Sequence, residues 1–200
     1  MKKLLMIAPL ALGMQFAVAG DDMHAEFKQM MDSSFKGNGI AEKHRLYQLD
    51  FQAACSTEKS PSPAMLKAIE AEQMKTIRWP SDGKYTGDWK SGEKIAISGR
   101  GLTWNDKADA ANGGGCYNCH QMSHNEISYG TIGPSLLNYG KLRGNSSDML
   151  KYTWGKIWNA KAYNACSNMP RNGDAEILTE RQIKDVMAYL FDPESPVNKP

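Results

Sequence analysis

Apolar positions recur along this chain at helical spacing, and the polar residues around them carry helix start and stop signals. The clearest stripe is Ile183, Val186, Met187 and Leu190, at i, i+3, i+4 and i+7. Thr179-x-x-Gln182 ahead of it is a capping box, Leu178 is placed to staple onto Ile183, and Asp192-Pro193 closes the helix. Leu150, Trp154, Ile157 and Trp158 mark one face of another helix. Asp88 to about Gly99 reads as a third, carrying Trp89, Gly92, Ile95 and Ala96; Ile95-Ala96-Ile97 has strand composition but sits inside the helical pattern. Ser62-Pro63 joins an N-cap to a proline at the first helical position. Leu66, Ile69, Gln73 and Ile77 follow on one face until Trp79-Pro80, where the residue before proline leaves helical backbone space. Helical spacing also appears in Phe27, Met30 and Met31 and in Leu46 and Leu49. No repeat, low-complexity tract or convincing strand interrupts the pattern, so the fold class is all-α. The tail from Glu194 to Pro200 reads as loosely ordered.

The chain has 200 residues, room for one ordinary domain or a small domain with an elaboration. Its first residues add an export address: Met1-Lys2-Lys3 is a basic start, Leu4 to Phe16 is apolar, and Ala17-Val18-Ala19 is a small-x-small cleavage site before Gly20. The apolar run falls short of the roughly 20 residues of a spanning helix, so a signal peptide over 1–19 is preferred to a membrane anchor, and no later stretch is apolar enough to span. Removing Lys2 and Lys3 takes Lys+Arg from 24 to 22, level with Asp+Glu at 22. A neutral mature chain gives no reason to expect nucleic acid or an acidic lipid surface as partner.

The chemistry lies in Cys116-Tyr117-Asn118-Cys119-His120, entered through Asn112-Gly113-Gly114-Gly115. C-x-x-C-H is the c-type haem attachment motif: two thiols at this spacing add to the two vinyl groups of one haem, and the following histidine is held beneath the iron. A zinc knuckle wants a second such pair, and a thioredoxin-like dithiol wants a βαβ context that this pattern lacks. Of the four cysteines, Cys55 and Cys166 remain. An even pair left over in an exported protein suggests a bridge, with two unpaired buried thiols as the other reading. Met122, Met149, Met169, Met187, His24, His44 and His124 are the candidates for a sixth iron ligand. Met122 and His124 stand too close to His120 along the chain, and Met149 and Met187 lie in helical stripes that suit the core. Met169 sits in the loop Asn168-Met169-Pro170-Arg171 and is favoured. His/Met ligation leaves no open position and suits electron transfer. Tyr129, Leu136, Leu137 and Tyr139 are candidate walls, and Arg143 is either a partner for a haem propionate or a solvated surface residue.

Several segments resemble known cytochromes. Ile132-Gly133-Pro134-Ser135-Leu136 resembles the stretch of class I cytochromes c whose proline carbonyl accepts a hydrogen bond from the proximal histidine, here Pro134 from His120. Gly113 to His120, Glu126 to Leu136, Tyr139 to Ser146, Asn164-Ala165-Cys166-Ser167-Asn168-Met169-Pro170-Arg171 and Asp192-Pro193-Glu194-Ser195-Pro196-Val197-Asn198 closely resemble the SoxX family of sulfur-oxidation cytochromes, over about residues 84 to 198. The resemblance implies a class I cytochrome c-like domain over 87–200 after a helical N-terminal extension over 20–86. It implies one haem c on Cys116 and Cys119, with His120 and Met169 as axial ligands and no catalytic residue in this chain. It also implies a periplasmic, non-catalytic electron-transfer subunit that pairs with a SoxA-type cytochrome in joining thiosulfate to the SoxYZ carrier. Making that sulfur–sulfur bond releases two electrons, passed on to a downstream acceptor cytochrome. A freestanding periplasmic electron carrier is the alternative.

Overall fold

The structure, a computed structural model, describes residues 19–199. The signal segment expected over 1–19 therefore lies, but for its last position, outside the described residues. The described chain is helical, with no strand; one isolated bridge joins Asn38 and Ala41. It forms two compact units divided after Gly37. The first holds α1 (Ala19–Ser34), which carries Phe27 and Met30. The second, from Asn38, holds α2 (Asp50–Cys55), α3 (Pro63–Lys75), α4 (Trp89–Ile97), α5 (Tyr139–Arg143), α6 (Ser147–Trp158) and α7 (Glu180–Phe191).

The helix starts are those written in the sequence. Ser62 accepts the Met65 N–H at the head of α3. Asp88 accepts the Lys90 and Ser91 N–H groups at the head of α4, and Thr179 and Gln182 form the capping box of α7. Leu46 and Leu49 differ from expectation. They do not share a helix: Leu46 ends a 3-10 turn (Lys43–Leu46) and Leu49 stands just before α2, both exposed. Two residues at helical spacing are too few to offset the cost of nucleating a helix.

The centre of the second unit is the crossing of α4 and α7. A Cβ on Gly92 would lie 2.0 Å from the Asp185 carbonyl oxygen and 2.9 Å from Tyr189 Cβ, so the two backbones meet only because this residue has no side chain. Asp185 is buried and accepts the Asp88 N–H at 2.8 Å, joining the start of α4 to α7. On α6, Trp154 is fully buried and stacks on Trp158 at 5.9 Å. Their indole N–H groups donate to the Arg78 and Thr76 carbonyls, at 2.8 and 3.1 Å. Asn159 donates to Gln73 Oε1 and Thr76 Oγ1, both at 2.9 Å. The end of α3 is thus bonded to α6, and the chain from Asn38 to about residue 86 packs with the rest of this unit. Truncating an aromatic in such a position costs about 3–5 kcal/mol.

The C-terminal tail corrects an expectation. Ser195, Val197 and Asn198 are buried, in a 3-10 turn over Pro196–Asn198. Asn198 donates to the Leu190 and Asp192 carbonyls at 3.0 and 2.9 Å, and the Asn138 N–H donates to the Val197 carbonyl at 2.7 Å. The carbonyls at a helix C-terminus have no partner within the helix. A tail that supplies one is ordered by hydrogen bonds that hydropathy does not register.

Candidate functional site

Cys116, Tyr117 and Asn118 form a single 3-10 turn entered from Gly115, which is left-handed (φ 56). The glycine run before it is tied to the end of α4: Gly113, Gly114 and Gly115 donate to the Arg100, Ile95 and Ser98 carbonyls, each at 2.8 Å. Leaving the turn, the His120 N–H donates to the Cys116 carbonyl at 2.9 Å. Downstream, the Gly130, Gly133 and Leu136 N–H groups donate to the Tyr117, Cys119 and Gln121 carbonyls at 2.7–2.8 Å. This ladder carries Pro134 to the histidine, and His120 Nδ1 lies 2.7 Å from the Pro134 carbonyl oxygen. A carbonyl only accepts, so Nδ1 carries the proton and the Nε2 lone pair is left for a metal. Gly133 makes that approach possible: a Cβ there would fall 2.2 Å from His120 Cε1.

His120, Cys119 and Pro134 border a cleft of about 820 Å3, and Met169 borders the same cleft from the loop after Ala160–Ala162. That loop is braced. Cys166 is bridged to Cys55, as the leftover cysteine pair suggests, and the Ala165 N–H donates to Glu70 Oε1 at 3.2 Å. The Met169 N–H donates to Ser167 Oγ at 3.2 Å. Of the expected walls, Leu136, Leu137 and Tyr139 line the cleft, as does Arg143. Tyr129 does not; it stands 42% exposed. Met122 and Met187 are buried in the core, while Met149 both packs on the core and borders the cleft, its sulfur 4.0 Å from the Tyr139 hydroxyl. His24, His44 and His124 are exposed.

Burial pushes the Cys116 thiol up to about 11, whereas nucleophilic C-x-x-C cysteines are held low. Its neighbour Tyr117 is buried, its hydroxyl 2.7 Å from that of Tyr189, and burial raises both phenols. Among the described residues no three His, Cys, Asp or Glu side chains converge as a metal cluster. An imidazole with one nitrogen committed, a thioether and a motif cysteine on one partly apolar cleft fit a covalently attached haem. The cleft volume lies within the range that encloses a cofactor.

Sequence reasoning gave no role to Phe51 and Lys161, which meet beside the Met169 loop: Lys161 Nζ lies 5.5 Å from the Phe51 ring centroid and donates to the Ser167 carbonyl at 2.9 Å. The signal was present in part: Phe51 stands one helical turn before Cys55, so a bridge to Cys166 turns that face of α2 toward the loop. No family model matches the chain. It is 37% identical over 170 residues to a protein of Aquifex aeolicus (strain VF5) described as an uncharacterized lipoprotein, an alignment covering 82% of this chain and 81% of that one.

Proposed function

The chain belongs to one family with the lipoprotein of Aquifex aeolicus, and we propose that it is a periplasmic monohaem c-type cytochrome with a class I cytochrome c-like fold. Its work is that of the electron-transfer subunit of a SoxAX-type thiosulfate-coupling complex. The observation that carries the haem reading is the joining of C-x-x-C-H to the Pro134 carbonyl through His120 Nδ1, on a cleft that also receives Met169. The resemblance of Cys166 to Arg171 and of Asp192 to Asn198 to the SoxX family carries the coupling role. The lipoprotein description of the relative supports an exported location. Lipid attachment does not follow, since two cysteines of this sequence are bridged and the other two belong to the motif.

Cys116 and Cys119 would hold the haem by thioethers, and His120 and Met169 would ligate its iron. When bound, the haem supplies reversible one-electron exchange. The residues do the rest. Pro134 fixes the tautomer and attitude of His120, and an imidazole whose second nitrogen donates to a carbonyl is a more basic ligand. With Met169 as the second ligand, no position would be left open to small molecules. Leu136, Leu137 and Tyr139 give the cleft apolar lining, and Arg143, which also borders it, would be available to pair with a propionate.

The test is thiosulfate-dependent reduction of the oxidised haem, followed by visible absorbance, with and without the SoxA-type and SoxYZ-type proteins. Reduction only when both are present is expected. No reduction with demonstrably active partners rejects the coupling role and leaves a freestanding carrier, and a purified chain without covalent haem rejects the cytochrome reading.

A further inference from the structure

Two cations from the Met169 loop and its approach converge on a single aromatic ring. Lys161 Nζ lies 5.5 Å and Arg171 Cζ 5.0 Å from the centroid of Phe51, within the roughly 6 Å over which an electron-rich ring face attracts a cation. Lys161 precedes Met169 and Arg171 follows it, so the two contacts bracket the thioether. Each cation has a second partner: Lys161 Nζ donates to the Ser167 carbonyl at 2.9 Å, and Arg171 pairs with Asp174. Lys161 is 9% exposed. Burial first, and the nearby Arg171 second, hold its ammonium below the ordinary lysine range. Like charges gathered in a partly dry place repel unless something compensates them, and both lie over the ring of Phe51.

Phe51 belongs to α2, the helix that also carries Cys55 of the bridge to Cys166. The bridge and the Ala165 N–H to Glu70 hold the loop on the side before Met169. The Phe51 contacts add a hold on either side of it.

We infer that Phe51 is a positioning residue whose ring, by gathering Lys161 and Arg171, holds Met169 in the cleft in the attitude that lets its thioether act as a ligand. This rests on the haem reading above. It assigns to the N-terminal extension the task of setting the sixth ligand.

The full-length haem-loaded protein is compared with Phe51→Leu, which keeps apolar bulk without a ring face, and Phe51→Tyr, which keeps the face. The readout is the rate at which cyanide displaces the thioether in the ferric protein, followed by loss of the long-wavelength absorption of thioether-ligated haem. A merely structural role would lower the urea midpoint and leave this rate alone. Phe51→Leu is expected to speed cyanide entry about tenfold and Phe51→Tyr to match the wild type, with no free thiol at Cys55 or Cys166 in either. Equal rates in Phe51→Leu and wild type, or the same acceleration in Phe51→Tyr, overturn the inference. If Phe51→Leu does not accumulate, Lys161→Gln decides: an increase of about threefold is expected, and an unchanged rate overturns it. Wild type lacking the thioether absorption overturns Met169 ligation itself. That result is read before any variant is compared, so the two failures are distinct.

Discussion

Alanine at Gly133 would bring its Cβ 2.2 Å from His120 Cε1, 2.5 Å from Nδ1 and 2.8 Å from Nε2. Carbon atoms settle at about 3.5–4.0 Å, so the imidazole or the strap of residues 130–136 that carries Gly133 has to move by more than about an ångström. Neither is free to do so. The ring is held by its Nδ1–H to the Pro134 carbonyl at 2.7 Å, and the strap by the Gly133 N–H to the Cys119 carbonyl at 2.8 Å. Losing one such hydrogen bond costs about 1 kcal/mol, and overfilling a packed site about 1–3 kcal/mol. Gly133→Ala is therefore expected to destabilise the protein by about 2–4 kcal/mol and to lower the fraction carrying covalent haem. Urea denaturation measures the first, a midpoint shift at unchanged m being a change in stability. Gly99→Ala is the control: the nearest neighbour of its Cβ is Asn118 Nδ2 at 3.8 Å, an ordinary contact, so its effect should stay within about 0.5 kcal/mol. A Gly133→Ala protein as stable and as fully loaded as Gly99→Ala would refute the assignment of Gly133 as the seat of His120.

Replacing Cys55 and Cys166 by serine opens a loop with a sequence separation of 111; the chain-entropy relation gives a loss of about 5 kcal/mol. Urea midpoints check it, and a loss under about 1 kcal/mol would mean that the bridge does little to confine the unfolded chain. Lys184 Nζ lies 2.7 Å from Asp82 and 2.8 Å from Glu180, and its hydrogen bonds hold both carboxyls below the usual carboxylate range. Groups so depressed stabilise the fold above their ordinary values and lose that contribution as pH falls through the lowered ones. Lys184 is raised, chiefly by the hydrogen bond it donates to Asp82, and its own contribution fades only as pH climbs through that raised value. Lys184→Met should flatten the acid limb of the stability curve; an acid limb identical to wild type would remove this cluster as its cause.

What the sequence determined by itself is local or covalent. Ser62, Asp88 and Thr179 name their helices because a cap needs only the N–H groups of the next turn. C-x-x-C-H points to the proposed haem attachment through the spacing of its thiols along the chain, which is local information. The leftover pair Cys55 and Cys166 is arithmetic, and Pro134 is legible because the segment around it is short and recurrent. The tertiary structure decided whatever depends on residues distant in sequence meeting in space. It brought Met169 onto the same cleft as His120, placed Met149 there as well, and left Tyr129 outside. It ordered a polar tail through the end carbonyls of α7 and separated Leu46 from Leu49. It also set Phe51 under two cations that follow it by more than a hundred residues. Hydropathy and motif spacing record what each residue prefers. Which of several methionines, aromatics or lysines meets a given cleft is settled only when α3, α6 and α7 pack, because the free energy lies in contacts that no window along the chain contains.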